Sequence, residues 1–183
     1  VEMSADAFIG ADFVVAQLEV PFEAIEQAFK IARKQNITTV LNPAPAIELP
    51  KSLLELTDII IPNETEAELL TGISINNESD MKETATYFLD LGISAVLITL
   101  GEQGTYCAYQ EQYKMIPACN VKAIDTTAAG DTFIGAFLSE LNKDLSNIES
   151  AIRLANQASS LTVQRKGAQA SIPTRKEVEA EYN

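Results

Sequence analysis

No histidine occurs among the 183 residues, which removes Ser-His-Asp and Cys-His catalysis and every His-ligated metal site from consideration. Carboxylates, hydroxyls and backbone amides are left to carry any chemistry. Only two cysteines are present, Cys107 and Cys119, and they lack C-x-x-C spacing. Their apolar or strand-like contexts predict buried free thiols in a reducing cytoplasm rather than a disulfide or a zinc site. Basic residues are also scarce, 13 Lys and Arg against 26 Asp and Glu, for a net charge of −13. A field of that sign disfavours non-specific binding to nucleic acid or an anionic membrane, although a locally positive phosphate site remains compatible with it. No run of 18 apolar residues suggests a membrane span. Nothing after Val1 reads as a secretory signal, and the absence of a start methionine suggests a cut beginning. Internal repeats, low-complexity tracts and Pro/Gly/Ser-rich linkers are absent too, so residues 1–183 are expected to belong to one domain.

What is present is ordinary in amount, with 46% apolar and 21% charged residues, enough for one real core. Apolar runs at Phe13 to Leu18, Thr38 to Leu41, Ile59 to Ile61 and Val96 to Leu100 are short and bounded by polar, Pro or Gly residues, as buried parallel strands are. Helical patterns separate them. Pro21 suits a first helical position, and Phe22, Ile25, Ala28, Phe29 and Ala32 follow on one face. Asn63 and Glu66 have capping-box spacing and Gly72 suits the left-handed position after the helix. Further helices are predicted over 79–91, 130–141 and 147–164, with Phe133, Phe137 and Leu141 on one stripe, and a hairpin between Thr105 and Ile116. Alternation of strand and helix through residue 100 implies an α/β domain with a mostly parallel sheet. Glu177, Glu179 and Glu181 read as a solvated helix face.

The segment Ile124-Asp125-Thr126-Thr127-Ala128-Ala129-Gly130-Asp131-Thr132-Phe133 carries the most chemical information. Residues no larger than alanine lead straight into a helix, where the first amides lack intrahelical partners and an anion can approach them closely. Tight packing explains the small residues equally well. Asp131 falls in the first turn, which the helix dipole favours for a carboxylate whether it is a structural cap or a base. Thr99 to Gly104 ends a strand and turns; its glycines suit a turn, and strand carboxyl ends in open α/β sheets are also where nucleotides bind. A G-x-x-x-x-G-K-S/T phosphate loop is absent.

The 124–133 segment resembles the signature of the ribokinase-like carbohydrate kinases: an Asp, two hydroxyl residues, a small-small-Gly stretch and a second Asp before a Phe. Asn42-Pro43-Ala44-Pro45-Ala46, Pro62-Asn63-Glu64-Thr65-Glu66, Thr99-Leu100-Gly101-Glu102-Gln103-Gly104, Arg165-Lys166-Gly167-Ala168-Gln169 and Ser171-Ile172-Pro173 resemble the same family, in the same order. The resemblance implies a three-layer α/β sandwich with a mostly parallel sheet. It also implies that the family's N-terminal strands, most sugar contacts and the β lid used in dimerisation are missing, so that the chain is a C-terminal part.

Asp131 is similar to the family's general base, and Ala128, Ala129 and Gly130 to its anion hole. Asn63, Thr99, Gly101, Gly104, Gly130 and Asn156 correspond to residues of the ATP site; a mid-helix Asn156 taken alone reads as solvent-facing. Glu19 and Asp131 correspond to sugar contacts, although Glu19 also suits the N-terminus of the helix that follows. Glu66 corresponds to a residue that holds Mg²⁺ through water, and Asp125, Thr127, Thr162, Arg165, Gly167 and Ser171 to those around a K⁺ site, where several oxygens come from the main chain. The implied activity is ATP-dependent phosphorylation of ribose by a cytoplasmic homodimer, with the 183 residues alone inactive. A fructokinase or nucleoside kinase of the same family, or a non-catalytic nucleotide-binding fragment, are the alternatives.

Overall fold

The central strands of this chain are short apolar runs buried on both faces. The run from Phe13, expected to be a buried strand, is only half-buried, because among the described residues it pairs on one side alone and Val15 is exposed. The computed structural model describes residues 6–182; Val1 lies outside the described residues. Strands β1 (Phe13–Ala16), β2 (Thr38–Leu41), β3 (Ile59–Ile60) and β4 (Ala95–Thr99) are parallel, with Phe13 opposite Thr38, Val40 opposite Ile59, and Ile59 opposite Ala95. In β4 every residue but Thr99 is buried, which explains its unbroken apolar sequence. Strands β5 (Gly104–Tyr109) and β6 (Gln112–Pro117) complete a six-stranded sheet whose order follows the chain. Between β5 and β6, Gln110 and Glu111 have φ of 49° and 62°, the two-residue turn whose twist matches that of a hairpin. The mostly parallel α/β architecture is the one expected.

Four helices fill the parallel crossovers: α1 (Phe22–Lys34), α2 (Lys51–Leu54), α3 (Glu64–Thr71) and α4 (Glu78–Asp90). Ile25, Phe29 and Ala32 form the buried stripe of α1. Pro21 is not the first helical residue but its cap, because its ψ of 138° is extended. The capping box of α3 is present as the sequence predicted, and Gly72 ends the helix with φ 72°. Helix α4 starts at Glu78, earlier than its apolar pattern suggested, since Asn77 Oδ1 accepts the amides of Ser79 and Asp80. The single turn of α2 has too little periodicity to be read from sequence.

The chain divides into two compact units. Of the described residues, 6–100 and 106–114 make up the first, in which Phe29, Val40, Leu41, Leu53, Ile59, Ile60, Phe88 and Leu97 are fully buried. Residues 101–105 and 115–182 make up the second, with helices α5 (Ala129–Glu140), α6 (Ile148–Thr162) and α7 (Arg175–Tyr182). Helices α5 and α6 pack on each other, and Phe133 stacks on Phe137 with centroids 6.2 Å apart. Val178 of α7 joins Ala158 and Leu161 of α6 in a small apolar cluster. Cys107 is buried as expected, but Cys119 is only half-buried, because it follows the end of β6 rather than lying within a strand. Among the described residues no helix is long and apolar enough to cross a membrane.

Candidate functional site

In the first unit one set of polar residues links the carboxyl ends of the strands. Gln17 Nε2 donates to Asn42 Oδ1 at 2.8 Å, and Asn42 Nδ2 donates to the Ile61 carbonyl at 2.7 Å, linking the ends of β1, β2 and β3. The Thr99 amide donates to the Pro62 carbonyl at 2.9 Å, and Asn63 forms a parallel bridge with Thr99, so these two expected site residues are neighbours. Glu19 is exposed in the turn between β1 and α1.

Glu66 is 5% exposed. One carboxylate oxygen accepts the Asn63 amide at 2.8 Å and the other accepts Asn63 Nδ2 at 2.9 Å. Burial pushes the Glu66 carboxyl above the usual carboxylate range, and the Asn63 amide partly opposes the shift. With both oxygens engaged, Glu66 suits an ion met through water. Among the described residues no three Cys, Asp or Glu side chains gather around a common point.

In the second unit the small-residue segment is the start of α5. Ala128 caps the helix with φ 62°, a left-handed conformation uncommon for a residue with a Cβ. The Ala129 amide donates to the Thr126 carbonyl at 3.2 Å, and Gly130 and Asp131 follow in the exposed first turn. A Cβ built on Gly130 would meet nothing within 4 Å, so the approach to this turn is open. Helix α6 pins the turn from behind: Ser159 Oγ donates to the Ala129 carbonyl at 2.9 Å, and Thr162 Oγ1 donates to Thr132 Oγ1 at 3.0 Å. Neither pin was legible in sequence, since a helical Ser or Thr carries no signal of what it will face.

Asp125 joins two loops. Its Oδ1 accepts the amide and hydroxyl of Thr127 at 3.0 and 2.6 Å, and its Oδ2 accepts the Gly167 amide at 3.0 Å. The amides of Ile124 and Asp125 donate to the Val163 carbonyl. Thr162 and Ser171 are buried nearby in sequence, and Ser171 Oγ donates to the Ala168 carbonyl at 2.6 Å. The Asp125 side chain thus accepts three hydrogen bonds, two from its own loop and one from the loop after α6. The Gly167 amide, then the Thr127 hydroxyl and amide, hold the Asp125 carboxyl down at about 2. A carboxyl depressed in the folded state stabilises above its ordinary value of 3.8, and that contribution is lost as pH falls toward about 2. Asp125→Asn is therefore expected to lose stability at neutral pH and to show a flatter decline than the parent between those values. Urea unfolding across pH checks this, and parallel curves would contradict it.

Gly101 and Gly104 differ in what they need. Gly101 has φ 55° and open space around it, whereas a Cβ on Gly104, at φ 112°, would overlap the Ile116 carbonyl oxygen and the Ala118 amide nitrogen. Asn156 is buried rather than solvent-facing: Nδ2 donates to the carbonyls of Ile116 and Pro117 at 3.1 and 3.2 Å, and Oδ1 accepts Thr105 Oγ1 at 2.9 Å. It ties α6 to the base of the β5–β6 hairpin. Glu177 is exposed, as expected of a solvated helix face, and it also has partners. It accepts a 2.7 Å bond from Arg165 and caps α7 through Thr174, a capping box that the spacing Thr174-x-x-Glu177 could have revealed.

Residues 4–175 match the family described as pfkB family carbohydrate kinase. The chain is 65% identical over 173 residues to a ribokinase of Staphylococcus aureus (strain COL), covering 94% of this chain and 57% of that protein. It is 52% identical to a bifunctional ribokinase/ribose-5-phosphate isomerase A of Fructilactobacillus sanfranciscensis, covering 97% of this chain and 33% of the relative. The chain thus spans about half the length, or less, of these relatives. The structure of Arabidopsis thaliana ribokinase complexed with ribose and ATP superposes with a TM-score of 0.92 at 31% identity, covering 98% of this chain and 58% of the other. With a family match over nearly its whole length, the chain belongs to the pfkB family of carbohydrate kinases.

Proposed function

We propose that the full-length protein carrying this chain is an ATP-dependent kinase that phosphorylates D-ribose at its 5-hydroxyl. The observation that carries the reading is the start of α5, where left-handed Ala128 opens a helix whose first turn exposes Gly130 and Asp131 together. Phosphoryl transfer asks for positioning and charge stabilisation more than for covalent chemistry by the protein. Helix N-terminal amides favour the charge of a phosphoryl group, and a carboxylate in the same turn is suited to accept the proton of the attacking hydroxyl. In this reading Ala128, Ala129 and Gly130 form the anion hole and Asp131 is the general base.

Asn63, Thr99, Gly101 and Gly104 flank the nucleotide, Asn156 supports it by fixing the hairpin base, and Glu19 contacts the sugar. Glu66 holds Mg²⁺ through water, and the loops of Asp125, Thr127 and Thr162, Arg165, Gly167, Ser171 hold K⁺. When bound, these ions supply positive charge that offsets the phosphates. Ribose as substrate is supported by the 65% identical ribokinase and by the structural relative complexed with ribose and ATP. A cytoplasmic homodimer belongs to the same reading.

The test is ADP release by the full-length protein with ribose, fructose or a nucleoside, in potassium or sodium chloride at equal ionic strength. Ribose is expected to give the highest kcat/KM, by at least about tenfold, the equivalent of one ordinary hydrogen bond of about 1.4 kcal/mol. Potassium is expected to support faster turnover than sodium. Preference for another acceptor overturns the ribose assignment, and equal rates in the two salts overturn the cation assignment. The 183 residues alone are expected to release no ribose-dependent ADP.

A further inference from the structure

Helix α7 is fastened to three other parts of its unit. Arg175 pairs with Glu140 at the end of α5 at 2.8 Å, and the Tyr182 hydroxyl lies 2.6 Å from Ser160 Oγ on α6. The third tie is Arg165 Nη2 donating to Glu177 Oε1 at 2.7 Å. Arg165 stands in the loop that follows α6, between Val163, whose carbonyl accepts the amides of Ile124 and Asp125, and Gly167, whose amide donates to Asp125 Oδ2. Asp125 in turn holds Thr127, next to Ala128 at the start of α5. A path of hydrogen bonds and short stretches of backbone therefore runs from Glu177 through the loop of Arg165 and Asp125 to the turn that carries Asp131.

We infer that Glu177 is a positioning residue for phosphoryl transfer: through Arg165 it holds the 163–168 loop, and so the Asp125 loop and the first turn of α5, in place. The inference rests on the kinase reading above. Glu177 has a purely local task as well, since its other oxygen accepts the Thr174 amide and hydroxyl at 2.7 and 2.8 Å. The two tasks separate chemically, because a capping box accepts Gln as well as Glu, whereas the attraction to Arg165 needs the charge. The side chains of Arg165 and Glu177 are 36% and 45% exposed, so their pairing contributes little to global stability. Its loss will be felt in the loop rather than in unfolding.

The experiment compares Glu177→Gln, Arg165→Gln and the double variant in the full-length protein. Each single change is expected to lower kcat about tenfold with KM for ATP changed less than about twofold, the pattern of an interaction realised mainly in the transition state. Tm should move by no more than about 2 °C. Amide hydrogen exchange should rise several-fold, confined to residues 124–131 and 163–168. The double variant should be no worse than either single one, because both remove one coupling. Additive losses, unchanged exchange, or exchange raised throughout together with a large fall in Tm would each overturn the inference. Exchange is measured without substrate: if the protein fails to phosphorylate ribose at all, the kinase reading fails while the clamp is judged on exchange alone.

Discussion

Asp131→Asn in the full-length protein is expected to lower ribose-dependent turnover by about 10²–10⁴-fold, the range typical for loss of a general base. The amide preserves the shape of the side chain but cannot take up the proton of the attacking hydroxyl. ATP affinity should change little, because the first-turn amides and the open approach at Gly130 remain as they were. Stability should change little too. A carboxylate in a helix's first turn contributes only about 0.3–1 kcal/mol through the dipole. Steady-state kinetics alongside nucleotide titration and thermal unfolding separate these effects. Near-normal turnover in the variant would show that another group is the base. A collapse in Tm would instead mark Asp131 as chiefly structural.

Gly104→Ala is expected to be the most damaging small substitution for folding. The backbone there has φ 112°, and the added Cβ would overlap backbone atoms of Ile116 and Ala118, which cannot swing aside as a side-chain tip can. A sparsely populated backbone region costs about 1–3 kcal/mol and overpacking about 1–3 kcal/mol more. For a domain of this size a loss of about 3 kcal/mol lowers Tm by roughly 10 °C. Gly101→Ala is the internal control, since φ 55° is strained but the surrounding space is open; it should cost about 1–2 kcal/mol. Thermal unfolding of both variants decides the matter. Equal losses would show that the close approach to β6 does not set the need for glycine at 104. Lost nucleotide affinity with unchanged Tm would assign Gly104 to the ligand alone.

Much of the architecture was legible because its signals are local. Four apolar runs between helical patterns predicted the parallel strands, and the absence of histidine confined the chemistry to carboxylates, hydroxyls and amides. Capping is equally local: Asn63 and Glu66 bond each other across three positions, and their spacing alone announced the contact. The helix start at Ala128 to Asp131 belongs to the same class, since small residues running into an amphipathic stretch define both the turn and the exposed carboxylate. Pro21 shows the limit of such reading, because proline fixes φ and leaves ψ to the context.

The tertiary structure decided which distant residues became partners. Asp125 meets Gly167, 42 positions away, and Thr105 meets Asn156, 51 positions away. Neither pair has a spacing rule, because the contact depends on how α6 packs against its neighbours. Burial of Asn156 likewise followed from the hairpin base lying over that turn of α6, where two carbonyls required donors. The acids near the chain's end show the same division. Composition established a charged helix, but the choice of Glu177 as the partner of Arg165 came from the loop after α6 turning back beside α7. Periodicity and capping act over one or two turns of chain and are written in sequence. The direction in which a packed helix points a given side chain is set by the whole core.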